Sequence, residues 1–178
     1  MHIEFMRSPD REMPTVPAAE EVTSLIVWHC KFSTLSSLAS FTKLKSLKIA
    51  SYPDASLEPL ENLRRLEWLS ILHLPKIDNL EPLAKLRNLV SLELATTPGW
   101  DASGKRQVVK SLHPLTRLPN LAYLALFGVT PEDKSLAPLE AASSLLSVRV
   151  SGYPVNETKR FYSAFSVTNE HVPSFPDA

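Results

Sequence analysis

The chain has 178 residues, enough for one domain that buries most of what its unfolded form exposes. Its 19 basic and 19 acidic residues cancel, which excludes the strong positive charge of a general nucleic-acid or anionic-membrane binder. One cysteine excludes an internal disulfide, and no apolar run reaches the roughly 18 residues that span a bilayer.

Taken in order, the chain opens with MHIEFMRSPDREMP, which lacks the continuous apolar core of a secretory signal. A cytoplasmic protein is the expectation. Residues 1–20 hold three prolines and no apolar period. They read as an extended N-terminal arm or cap, suited to covering an open strand edge.

A repeat begins at Val22 and runs over 21–155. Its first column is Val22, Leu44, Leu66, Leu89, Leu121 and Leu145, so successive steps are 22, 22, 23, 32 and 24 residues. Its fourth column is Leu25, Leu47, Leu69, Leu92, Leu124 and Val148, and its sixth is Val27, Ile49, Ile71, Leu94, Leu126 and Val150. No polar residue enters any of the three. Apolar residues two apart are the signature of a strand with one buried face. Such a unit cannot bury its face alone and must stack on copies of itself. The segments between strands share L-x-P-L, at Leu57–Leu60, Leu80–Leu83, Leu112–Leu115 and Leu136–Leu139. Proline suits the first turn of a short helix, where its missing N–H would be unpaired anyway. The first such segment, Leu35–Leu38, keeps both leucines without proline.

The pattern L-x-x-L-x-L followed by L-x-P-L-x-x-L resembles the short repeats of internalin-like bacterial leucine-rich repeat proteins. The implied fold is an α/β solenoid. It is a horseshoe with a concave parallel β-sheet of about six strands and short helical or 3-10 returns on the convex side. Two departures stand out. The class carries asparagine at position nine, where this chain has Cys30, Tyr52, Leu74, Thr97, Val129 and Tyr153, so irregular turns are expected after the strands. The internalin export signal and large cap domain also have no counterpart in the sequence, so the adhesin function does not carry over.

The 32-residue step contains an insertion near 98–111, PGWDASGKRQVVKS, which reads as a protruding loop bearing Trp100, Lys105 and Arg106. Gly99, Gly104 and Lys105 approach a phosphate-binding loop, but Arg106 stands where serine or threonine would hold magnesium. After the last strand, residues 156–178 read as a capping helix N-capped by Asn156, covering the open end with Phe161 and Phe165, and then a loosely held tail.

The register places positions three, five and seven on the concave face. The expected partner-binding residues are Ile26, Trp28, Lys48, Trp68, Ser70, Leu72, Glu93, Tyr123, Phe127 and Arg149, with Trp100 from the insertion. Aromatic and arginine side chains dominate measured interface hot spots. The opposing reading has the arm or the insertion folded over these aromatics. His29 and His73 share position eight two repeats apart. Their spacing of about 10 Å is too wide to share a zinc ion without bending the sheet. Cys30 reads as a core thiol, and Glu58 and Glu81 as carboxylates favoured by a helix start. No catalytic constellation has local support, and no cofactor or metal is implied.

The expected function is therefore a non-catalytic protein-interaction module, monomeric when free, engaging neither nucleic acid nor membrane. Small proteins of this repeat class resemble bacterial immunity proteins, which implies a cognate toxin as the partner. The alternatives are a nucleotide or small-molecule binder using residues 99–105, or a scaffold that self-associates through its last strand.

Overall fold

The computed structural model describes residues 1–170, 173, 175 and 176. Seven five-residue strands make one parallel sheet: β1 (His2–Met6), β2 (Ser24–Trp28), β3 (Ser46–Ala50), β4 (Trp68–Leu72), β5 (Ser91–Ala95), β7 (Tyr123–Phe127) and β9 (Ser147–Ser151). Their order in the sheet follows the chain, and each pairs with its neighbour in the repeat register, Leu25 with Leu47 and Leu47 with Leu69. The first, fourth and sixth columns point to the other side and build the core. All but Val150, which packs against its edge, are buried.

The sheet has one strand more than the columns predict. Ile3 and Phe5 of β1 sit opposite Leu25 and Val27, so the arm begins with a repeat of its own. The prolines that follow the strand hide the period. The strand covers the free edge of β2.

The return segments are 3-10 helices at Ser36–Ser40, Glu58–Leu60, Glu81–Lys85 and Ala137–Ala141, plus a single α-turn, α2 (His113–Thr116). Four carry proline in their first two positions. A second column precedes them. The side-chain oxygens of Thr34, Ser56, Asn79, Ser111 and Ser135 each accept the backbone N–H two residues on, at 3.0–3.2 Å. This local bond closes the tight turn from which each return starts.

Contrary to the irregularity expected of turns without asparagine, the turns after the strands repeat closely. Position eight is left-handed at Arg7, His29, Ser51, His73, Gly128 and Gly152, with φ between 51° and 87°. Thr96, where the insertion begins, is the exception. One backbone geometry thus serves six repeats with four residue types, held by the bonds of neighbouring strands rather than by a side-chain ladder.

The insertion is not a free loop. It forms α1 (Pro98–Ala102) and then β6 (Gln107–Val109), which pairs in parallel with β8 (Val129–Pro131). Gln107 and Val109 are buried, the Gln107 amide donates to the Ile77 carbonyl, and the Lys110 N–H reaches Asp78 O at 2.7 Å. The tip at Ala102–Lys105 stands out, and Pro98, Gly99, Val108 and Lys110 are also exposed. The extra residues are absorbed because a buried backbone stretch needs partners, and β8 supplies them.

The far end is closed by α3 (Val155–Ala164) with Phe161 fully buried and Phe165 and Tyr162 packed beside it. The helix starts two residues earlier than an Asn156 cap implies, after Pro154, so Asn156 lies in its first turn and caps nothing. Glu157 instead reaches across to accept the Leu136 N–H at 2.6 Å. The expected loose tail is partly tied: Thr168 bridges to β9, with its N–H on Leu146 O at 3.0 Å. Beyond it, Pro173 and Phe175 contact Trp68, whereas residues 171, 172, 174, 177 and 178 lie outside the described set. Among the described residues no helix is long and apolar enough to cross a membrane.

Candidate interaction face

Because side chains alternate along a strand, the residues between the core columns line up as three rows across the opposite face. Position seven runs Met6, Trp28, Ala50, Leu72, Ala95, Phe127 and Ser151. Trp28 and Phe127 stand four strands apart, about 19 Å at the usual strand spacing. Between them Ala50, Leu72 and Ala95 form a low apolar floor. Position five runs Glu4, Ile26, Lys48, Ser70, Glu93, Ala125 and Arg149, and position three runs His2, Ser24, Ser46, Trp68, Ser91, Tyr123 and Ser147.

Contacts tie these rows together. Lys48 Nζ lies 5.2 Å from the Trp28 ring centroid, and the Arg149 guanidinium lies 5.5 Å from that of Phe127. Each cation sits over a π face, an attraction of about 0.5–1 kcal/mol at exposed sites. Ser70 Oγ donates to Glu93 Oε1 at 3.2 Å. Trp100 meets the His73 ring edge-on at 5.2 Å, so the insertion places its aromatic at the rim beyond Leu72. Burial lowers the pKa of the His73 imidazole, with the charge of His29 a smaller contribution.

Exposure divides the expected residues. Ile26, Trp28, Lys48, Leu72, Glu93, Trp100, Tyr123 and Phe127 are half-buried, and Arg149 is exposed. Ser70 is buried by its neighbours. Trp68 is not open: it is only 7% exposed, because Pro173 and Phe175 lie on it. The cover is neither the arm nor the insertion but the far end of the chain. That contact has no sequence signal beyond a lone phenylalanine between prolines. Met6, which the columns missed with β1, extends the apolar row and is 55% exposed.

The segment from Gly99 to Lys105 runs helix first and strand second, the reverse of the strand–loop–helix order that cradles a phosphate. Cys30 is half-buried, with its Sγ 3.2 Å from Phe5 O. Among the described residues no three His, Cys, Asp or Glu side chains gather as metal ligands would.

The stacked strands, the L-x-P-L returns and the seven-stranded parallel sheet define a leucine-rich repeat fold. No protein-family model matches the sequence, and no curated protein is found similar to it. Solved structures are. The leucine-rich repeat domain of the type III effector XopL aligns with TM-score 0.50 and 19% identity, over 88% of this chain and 66% of that one. Internalin C2 of Listeria monocytogenes aligns with TM-score 0.49 and 22% identity over 74% of this chain and 62% of that one. The chain thus spans a little under two thirds of these neighbours, and the likeness is one of fold.

Proposed function

We propose that the chain is a non-catalytic module that binds a protein partner on the open face of its sheet. The observation that supports this is the position-seven row, in which Trp28 and Phe127 flank the floor of Ala50, Leu72 and Ala95. The leucine core lies on the other side of the sheet, so these half-buried aromatics are not needed to fill it. Well-packed aromatics beside a cation are the usual anchors of a protein interface.

The test uses matched baits in host lysate. Wild type should capture one stoichiometric protein that the Trp28→Ala/Phe127→Ala variant loses, while the two baits melt within a few degrees of each other. Equal capture by both would reject the face.

The finer reading makes this an immunity protein that acts in the cytoplasm as a monomer and blocks a cognate toxin. Its support is the repeat class and small size of the chain, an analogy of fold. Co-expression with the product of a neighbouring gene tests it: restored growth is expected, and continued toxicity counts against it.

A further inference from the structure

Trp68, on the sheet face, is contacted by residues from the far end of the chain. Its indole N–H donates to the carbonyl of Pro173 at 3.3 Å, across 105 positions of sequence. An indole nitrogen only donates, so a covered tryptophan needs such an acceptor. The Phe175 ring meets the indole edge to face, with centroids 4.8 Å apart, and Lys48 Nζ lies 5.9 Å from the same ring. The residues level with Trp68 on either side are Ser46 and Ser91, so the indole stands above small neighbours and leaves room beside it. The Ser91 hydroxyl has no partner among the described residues.

The core does not require this contact. Trp68 points away from the leucine columns and is not a member of the core cluster they build. What the tail contributes is a ligand-like set: an aromatic ring, a backbone carbonyl and flanking prolines at 173 and 176. Proline restricts the backbone to extended conformations, which lowers the entropy lost when such a segment docks.

We propose that Trp68, Lys48 and the serines beside them form a recognition pocket for an aromatic side chain on an extended, proline-flanked protein segment. The chain's own Pro173 and Phe175 fill the pocket until a partner segment of the same chemistry displaces them. This rests on the sheet face being the binding surface and names what it takes at this point. An intramolecular ligand acts at an effective concentration of roughly millimolar when its tether is flexible, so an incoming segment must bind tightly enough to compete.

The experiment uses the full chain and a fluorescent peptide with the sequence of residues 171–178. The Phe175→Ala chain, its pocket vacated, should bind the peptide at least about tenfold more tightly than wild type does, a factor equal to about 1.4 kcal/mol. A peptide with alanine in place of phenylalanine should not bind, and Trp68→Ala/Phe175→Ala should bind no better than wild type. The proposal is overturned if the peptide fails to bind the Phe175→Ala chain, or if the alanine peptide binds it equally well. The peptide contrast stands even if the doubly substituted chain does not fold. No partner is involved, so the pocket can fail while the Trp28 and Phe127 baits still discriminate, and the converse also holds.

Discussion

At position eight, a single residue decides how comfortably each repeat turns. Left-handed backbone costs a residue with a Cβ about 1–2 kcal/mol, and glycine escapes it. Ser51 holds φ 69° and contributes only a surface bond to His29, at 2.9 Å. Ser51→Gly should therefore raise stability by about 0.5–1 kcal/mol in urea unfolding. Gly152, at φ 87°, should behave oppositely. Its Cβ would fall 2.6 Å from the Arg106 side chain, so Gly152→Ala should cost about 1–2 kcal/mol and loosen the insertion. The same sign for both substitutions would contradict the turn argument.

His73 shares that column and adds a pH dependence. Its folded pKa lies below the ordinary 6.5, so the unfolded chain takes up the proton first as pH falls. The contribution is fully present above that ordinary value and is lost as pH falls through the depressed folded one. Asparagine tolerates the left-handed backbone and does not titrate. Between about pH 7.5 and about pH 5.5, wild type should lose more stability than His73→Asn. Equal losses would show that His73 does not carry the effect.

At the scale of elements, the returns depend on carboxylates that cross from one repeat to the next. Asp54 accepts the Leu35 N–H at 2.9 Å and the Thr34 hydroxyl at 2.6 Å, and Glu157 serves Leu136 in the same manner at the far end. Leu35 is fully buried, so its N–H has no water to turn to. Asp54→Ala should cost about 2 kcal/mol, as hydrogen bonds to charged groups do. By contrast Lys85→Ala, which breaks a surface pair with Glu61, should cost under about 1 kcal/mol. Comparable losses in chemical denaturation would contradict the ranking. The leucine columns made the strands and returns readable from sequence because they repeat. The Thr, Ser and Asn column before the returns repeats too, yet mixed residue types disguise it. Asp54 and Glu157 follow no period, and no local pattern announces them.

For the whole molecule, stacking explains why the architecture was legible and its covers were not. Each repeat buries the next, so three in-register columns six repeats deep specify the sheet. The two ends need something different, and there the sequence departs from its own rule. β1 is followed by prolines that break the period, and α3 belongs to no repeat. The insertion hides a strand because β6 has only three residues and gains its partner, β8, from the following repeat. The open face was legible as rows, since alternation fixes them. The burial of Trp68 was not, because it depends on a contact spanning 105 positions.

Site-specific cross-linking tests the sheet-face account most directly. A photoreactive side chain at Leu72, on the floor between Trp28 and Phe127, is compared with one at Ser37, exposed on the return side. Irradiation in host lysate should join the captured partner to position 72 and leave position 37 unreacted. A partner cross-linked from position 37 and not from position 72 would contradict the account and move the binding surface to the returns.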